Sequence, residues 1–157
     1  MNILIVYETF YGNTEKVAQA IAEALKGHGD VRVMRAAEAK AEQISGVDLL
    51  IVGSPTRAFR PCPATKAFLA AIPAGALQGV KVAAFDTRTA MDETVPGILR
   101  FMARIFGYAA QPIAASLVKK GGTLVGSPEG FFVKGSEGPL LEGELARAAE
   151  WAKTLTP

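Results

Sequence analysis

A short loop near the start of the chain carries the side chains best suited to binding chemistry. It comprises Thr9, Phe10, Tyr11, Gly12, Asn13 and Thr14. The loop follows an apolar run at residues 3–7 and precedes a stretch with helical periodicity that starts at Glu15. Hydroxyls, an amide and a glycine at a helix start place hydrogen-bond donors where the helix dipole is positive. This pattern favours the binding of a phosphate group.

Two common nucleotide-binding motifs do not describe this loop. Lys16 follows Thr14 instead of preceding it, so the G-x-x-x-x-G-K-[ST] pattern of a triphosphate loop is absent. The G-x-G-x-x-G pattern is absent too, because Gly12 is the only glycine in the loop. The alternative to phosphate binding is a helix cap formed by Asn13 or Thr14. The two interpretations are compatible.

The elements that hold this loop follow an alternating pattern of strands and helices. Strands are predicted at residues 3–7, 31–34, 48–53 and 80–86, and a fifth in two pieces at 123–125 and 131–133. Helices are predicted at residues 15–27, 65–72, 94–106 and 110–120, and from Gly138-Pro139 to the C-terminal end. Continuous apolar strands that alternate with helices predict an α/β fold with a doubly wound parallel sheet.

Three details of the connections are also predicted. Thr94 is expected to cap a helix that has Pro96 in its first turn. Residues 36–43 are expected to form a short exposed helix or an irregular connection. The last helix is expected to bury Leu141 and Leu145.

The bulk composition predicts one compact domain over residues 1–157, since half of the residues are hydrophobic and 20% are charged. The net charge of +2 is small and dispersed, which excludes a nucleic-acid-binding surface. No apolar run is long enough to cross a bilayer, and the first strand follows Met1 directly. We therefore expect a cytoplasmic protein without membrane insertion. No Cys/His cluster has metal-ligand spacing.

The single cysteine, Cys62, lies in the turn Arg60-Pro61-Cys62-Pro63 and excludes an internal disulfide. A thiol near arginines favours the reactive thiolate form. The favoured alternative is an incidental thiol in a proline-rich turn.

The first loop resembles the phosphate loop of the flavodoxin family. The run Val6-Tyr7-Glu8-Thr9-Phe10-Tyr11-Gly12-Asn13-Thr14-Glu15 is similar to the [S/T]-x-x-G-N-T pattern that holds the 5′-phosphate of FMN in that family. Gly53-Ser54-Pro55-Thr56 is similar to the family's G-x-P-T, and the elements follow the family's order along the whole chain. The resemblance implies a five-stranded parallel sheet of order 2-1-3-4-5, with FMN at the switch point between strands one and three.

The resemblance also implies which residues contact FMN. Its phosphate is expected at residues 9–14, and its ring between the loops that follow strands three and four. The further site residues are Ser54, Pro55, Thr56, Arg57, Ala58 and Phe59 in the second loop and Asp86, Thr87 and Arg88 in the third.

The third loop departs from the family pattern. Many members sandwich the ring between an aromatic of the second loop and a tyrosine of the third. Phe59 is a candidate for the first of these, or else a lid over the core, and Phe10 is either a further candidate or packs outside the phosphate loop. Residues 86–91 contain no aromatic. Either the ring stacks on one side only, or Arg88 or Met91 covers the other face, or the affinity is low.

Arg57, Arg60 and Arg88 fall in the loops expected around the ring. One cation about 8 Å from a reduced flavin, at an effective dielectric of about 20, stabilises its negative charge by roughly 2 kcal/mol. That corresponds to on the order of 90 mV for one electron. We therefore expect a less strongly reducing flavin than in acidic family members. The alternatives are solvated surface charge or recognition of an anionic substrate or partner.

The resemblance implies an FMN-binding redox protein, with an electron carrier favoured over an enzyme. One alternative is a small FMN-dependent oxidoreductase resembling the quinone-linked protoporphyrinogen oxidases, whose Y-x-S-x-Y-G-N-T loop is similar to residues 7–14. A second alternative is a cofactor-free interaction module of the same fold. A phosphoacceptor receiver domain is excluded, because Gly53-Ser54 ends strand three where that domain needs an acidic residue. The sequence identifies neither the redox partner protein nor the oligomeric state.

Overall fold

The computed structural model describes residues 1–91 and 94–157, which form a central sheet with helices on both faces. The strands are β1 (Asn2–Tyr7), β2 (Asp30–Arg35), β3 (Leu49–Arg57), β4 (Arg60–Pro61), β5 (Lys81–Thr89), β6 (Thr123–Leu124) and β7 (Glu129–Val133). The helices are α1 (Asn13–Leu25), α2 (Pro63–Ala71), α3 (Gly97–Phe106), α4 (Ala110–Lys119) and α5 (Glu144–Lys153). Short 3₁₀ turns lie at Lys26–His28 and Ala41–Ile44.

The sheet has the order β2-β1-β3-β5-β6, and these neighbours pair in parallel. β7 also pairs in parallel with β5, beyond β6, so the two short strands share the fifth position. The predicted α/β fold with its doubly wound sheet and its split fifth strand is confirmed. The difference is the additional two-residue strand β4, which turns back on β3 as an antiparallel hairpin.

Burial on both faces explains why the central strands are apolar throughout. Leu4 and Val6 of β1 pack with α2 and α4, whereas Ile3 and Ile5 pack with α1 and α5. Each of these four side chains is almost completely buried. Such two-sided covering is what a continuous apolar run in a parallel sheet indicates.

Two strands continue further than the sequence pattern indicates. β3 extends to Arg57 and β5 to Thr89, and Pro55 and Thr87 are still partners in the sheet. The residues expected in free loops therefore lie on strand ends, which holds their backbone in a fixed register.

The bounds of two helices differ from the prediction. α3 begins at Gly97, so Pro96 precedes the helix and Thr94 is not at its cap position. α5 begins at Glu144, because residues before it bond to β7 and do not form helix. The Leu141 N–H donates to the Phe132 carbonyl at 2.9 Å.

Two further predictions on the connections can be compared with the structure. Leu141 and Leu145 are exposed, contrary to the prediction. The connection between β2 and β3 contains the 3₁₀ turn Ala41–Ile44, in which Ile44 is buried. No helix in the described part of the chain is long and apolar enough to cross a bilayer.

Gly53 allows the ring of Phe85 to pack closely against β3. A Cβ at position 53 would lie 2.1 Å from Phe85 Cζ. Phe85 is fully buried and meets the rings of Phe131 and Trp151 edge-on, with centroids 6.3 and 6.1 Å away. The ring therefore has no room to withdraw.

We expect Gly53→Ala to lower the free energy of unfolding by about 2 kcal/mol or more, because overpacking a rigid core forces backbone shifts. Gly27→Ala is the matched control, since a Cβ there meets nothing within 4 Å. Urea unfolding of both variants measures the difference. Equal stability of the two would show that the Phe85 ring can move.

Candidate functional site

A cleft of about 350 Å³ opens at the carboxyl edge of the sheet, between the ends of β1, β3 and β5. The predicted site residues that line it are Thr9, Phe10, Tyr11, Asn13, Thr14, Pro55, Thr56, Arg57, Ala58, Thr87 and Arg88. Gly12, Ser54, Phe59 and Asp86 lie outside this lining. The structure adds Thr89, Val133 and Ser136, which sequence reasoning missed.

The first loop brings the start of α1 to the cleft. Gly12 occupies the cap position with φ 90°, a left-handed conformation that other residues rarely adopt. Its N–H donates to Thr9 Oγ1 at 2.8 Å. Within the described residues no side chain caps α1, and the N–H groups of a first turn lack intrahelical acceptors. The helix start can therefore present these donors to an anion.

Asn13 and Thr14 lie inside α1 and do not cap it. Thr14 Oγ1 lies 2.8 Å from Thr87 Oγ1, so a buried hydroxyl pair joins α1 to β5. Asn13 Nδ2 donates to the Glu137 carbonyl at 2.8 Å. A Cβ at Gly138 would lie 2.5 Å from the same Nδ2 atom. These contacts hold the segment after β7, which includes Ser136, against the first loop.

Glu8 fixes the backbone at the entrance of the first loop, although the sequence analysis did not select it. Its buried carboxylate accepts hydrogen bonds from Arg35 Nε at 2.7 Å, the Thr9 N–H at 3.1 Å and the Ala37 N–H at 3.2 Å. A carboxylate directly after a buried strand was the signal that could have identified it.

The side chain of Ser54 holds the hairpin between β3 and β4 and does not line the cleft. Ser54 Oγ donates to the Pro55 carbonyl at 2.8 Å and accepts the Cys62 N–H at 2.9 Å. Cys62 is fully buried, and its Sγ lies 3.2 Å from Thr65 Oγ1. Ala58 and Phe59, at the tip, have φ values of 48° and 65°. Two consecutive non-glycine residues in the left-handed region mark a strained turn beside the cleft.

The aromatic side chains of the cleft come from the first loop. Phe10 lines the cleft, and the guanidinium carbon of Arg57 lies 4.6 Å from the centroid of its ring. Phe59 instead contacts Phe106 of α3, with ring centroids 6.0 Å apart. Phe10 therefore lines the cleft, whereas Phe59 lies outside its lining.

Asp86 and Arg88 form a buried ion pair at the end of β5. Arg88 Nε and Nη2 each donate to one carboxylate oxygen at 2.7 Å. The Ala110 N–H, at the start of α4, donates to Asp86 Oδ2 at 2.8 Å. Burial raises the pKa of the Asp86 carboxyl, and the hydrogen bonds and charge of Arg88 counter that shift. The guanidinium also lies 3.9 Å from the ring centroid of Tyr108.

This pairing changes the expected charge around the cleft. Arg88 lines the cleft, but its charge is compensated by Asp86. Arg60 is exposed on the hairpin outside the lining. Arg57 lines the cleft and has no salt bridge with a carboxylate in residues 1–91 and 94–157. Among the residues that the structure describes, Arg57 is therefore the arginine of the cleft lining whose charge no salt bridge compensates.

A metal site is not indicated in the part of the chain that the structure describes. Three or more His, Cys, Asp or Glu side chains in a ligating arrangement were not found there.

A family model described as a flavodoxin domain matches residues 4–114, which is more than half of the chain. None of the curated proteins matches this sequence.

Solved structures with the same fold cover nearly all of the chain. Oxidised Flavodoxin 2 from Bacillus cereus has 23% identity and a TM-score of 0.75, with 99% of this chain and 97% of that one covered. Two-electron reduced Megasphaera elsdenii flavodoxin has 22% identity and a TM-score of 0.69, with 96% and 97% covered.

A third similar structure is the rubredoxin oxygen:oxidoreductase of Desulfovibrio gigas, with 22% identity and a TM-score of 0.73. The match covers 98% of this chain but only 35% of that enzyme, so the chain spans about a third of its length. At these identities the likeness shows the fold alone.

We expect Asp86→Asn to lower the free energy of unfolding by about 3 kcal/mol, because removing one partner leaves a largely buried guanidinium uncompensated. The double variant Asp86→Asn/Arg88→Met should recover part of this loss, since the unpaired charge is then removed. Glu150→Gln, in an exposed pair with Lys153, should change stability by about 0.5 kcal/mol or less. A loss for Asp86→Asn no larger than for Glu150→Gln in urea unfolding would contradict the structural role of the buried pair.

Proposed function

The chain belongs to the flavodoxin family, and from that premise we propose that it binds FMN in the cleft and acts as an electron carrier. One observation carries the proposal: the uncapped, glycine-started N-terminus of α1 opens into a cleft that the ends of β3 and β5 complete. This is the location at which open α/β sheets bind their ligands.

The donor groups of the cleft suit the chemistry of FMN. Thr9 and the first turn of α1 would hold the phosphate, which helix starts favour through both hydrogen bonds and dipole. Thr56, Thr87, Thr89 and Ser136 supply hydroxyls for the ribityl chain and the polar edge of the ring. Phe10 offers an apolar surface for the ring itself. The residues present therefore fit the cofactor that the family implies.

FMN supplies one- and two-electron oxidation and reduction when bound, and the protein supplies position and electric field. Arg57 places positive charge at the cleft and favours any added negative charge there. The Asp86–Arg88 pair fixes the end of β5 without adding net charge. Phe10 and Tyr11 are about half exposed, so the cleft stays accessible to a partner protein.

A carrier is favoured over an FMN-dependent oxidoreductase of the quinone or protoporphyrinogen type. The residues that the structure shows lining the cleft are hydroxyl, amide, apolar, aromatic and arginine side chains. A carrier requires no proton-transferring group, whereas such an enzyme would place an acid or base beside its substrate. The uncapped start of α1, which opens into the cleft, argues against the cofactor-free module.

We expect the flavin-free protein to bind FMN at least tenfold more tightly than riboflavin, because only FMN carries the phosphate. Thr9→Val should weaken FMN binding by about tenfold or more, the effect of losing a hydrogen bond to a charged group. It should leave riboflavin binding nearly unchanged. Fluorescence titration measures the dissociation constants of FMN and of riboflavin for the parent chain and for Thr9→Val.

Thr123→Val is the matched control, because Thr123 is exposed on β6 at the amino end of the sheet. The phosphate assignment fails if FMN and riboflavin bind equally, or if the control loses as much affinity as Thr9→Val.

We expect Arg57→Gln to lower the midpoint potential of the bound flavin by tens of millivolts, on the order of 90 mV for a cation about 8 Å away. Arg32→Gln, on the exposed strand β2, should leave the potential unchanged. Redox titration against reference dyes measures both variants. An unchanged potential in Arg57→Gln would show that this arginine does not act on the flavin.

A further inference from the structure

The helix α3 exposes most of its large apolar side chains. Ile98, Leu99, Phe101, Ile105 and Phe106 are each between 42% and 64% exposed. Ala103 is the buried residue of the helix. We call the five exposed side chains the apolar face of α3. A helix of a globular protein normally turns such a face toward the core, so this one indicates an interaction surface.

Positive charge accompanies the apolar face. Arg100 and Arg104 are one turn apart and lie beside the stripe formed by Ile98, Phe101 and Ile105. The sequence from residue 94 to residue 128 contains four basic residues and no acidic one. Asp92 and Glu93 precede this segment and lie outside the described residues.

The hairpin between β3 and β4 extends the same surface. Phe59 at its tip contacts Phe106, with ring centroids 6.0 Å apart. Arg57 and Arg60 flank this tip and are exposed. The salt bridges of the described chain include none of Arg57, Arg60, Arg100 or Arg104. The surface therefore combines apolar side chains with arginines from two elements.

We propose that the apolar face of α3, flanked by these arginines, lies on the surface of a lipid bilayer that contains anionic headgroups. A helix that lies in the membrane–water interface without spanning the bilayer typically has phenylalanine and isoleucine on one side and arginine on the other. The guanidinium groups pair with lipid phosphates, and the apolar side chains enter the boundary with the acyl chains.

The size of the surface favours a bilayer over a protein partner or a second copy of the chain. With Phe59 and the four arginines, the apolar face of α3 makes a surface of ten side chains. A standard protein interface uses about 20–30 residues from each partner, so this surface is well below that size. A bilayer accepts a narrow apolar surface because lipids adapt to its shape.

Co-sedimentation with vesicles tests the proposal directly, and it does not depend on FMN binding. The whole protein is mixed with phosphatidylcholine vesicles, and with mixed phosphatidylcholine–phosphatidylglycerol vesicles. We expect it to pellet with the mixed vesicles, and binding to fall as the salt concentration rises.

Two pairs of variants separate the apolar and the electrostatic contributions. Phe101→Ser/Ile105→Ser should weaken binding to mixed vesicles at least tenfold, whereas Val118→Ser/Leu145→Ser, at exposed apolar positions elsewhere, should not. Arg100→Gln/Arg104→Gln should weaken it at least tenfold, since each basic residue near an anionic surface contributes about a fivefold factor. Lys26→Gln/Lys153→Gln is the control for charge, because both lysines lie in exposed ion pairs. Thermal melting verifies that each variant is folded.

The proposal is overturned if the protein does not pellet with mixed vesicles, or if Phe101→Ser/Ile105→Ser binds them as well as the parent chain. It is also overturned if the parent chain forms a dimer without binding vesicles and Phe101→Ser/Ile105→Ser is a monomer. That result would assign the apolar face of α3 to contacts between two copies.

Discussion

Parallel pairing of β1, β3 and β5 brings the carboxyl ends of three strands to one edge of the sheet, and every feature of the cleft depends on it. The pairing is held in register because both faces of these strands are buried, so a shift by one residue would disrupt both cores. Gly53 and Phe85 tighten this arrangement at the point where the strands reach the cleft.

Local patterns were sufficient to predict the parallel strands of the sheet, the α/β class and the loop that precedes α1, but not the hairpin strand β4. The contacts that set the charge of the cleft could not be predicted in this way. Asp86 pairs with Arg88 because β5 continues past residue 86, where the sequence pattern ends the strand, and this places both side chains on one face of the strand. Ser136 reaches the cleft because Asn13 holds the segment after β7. The contacts of Asn13 with Glu137 and of Asp86 with Ala110 join residues far apart in sequence, which periodicity and motif spacing do not report.

The helix α3 shows a second limit of sequence patterns. Apolar residues at helical spacing form one face of a helix, but the pattern is the same for a face that packs on the core and one that remains exposed. Phe59 illustrates the consequence: the family resemblance left open whether it lies beside the ring of FMN or covers the core, and in the structure it lies against Phe106 of this helix. Whether an apolar face has a partner is decided by packing of the whole chain.

The visible absorption spectrum of the purified protein tests the central claim most directly, when taken before and after mixing with FMN and removing the excess by gel filtration. The account predicts the bands of a bound oxidised flavin, and FMN as the chromophore that denaturation releases. A colourless protein that retains no FMN after mixing would contradict the account and favour the cofactor-free interaction module.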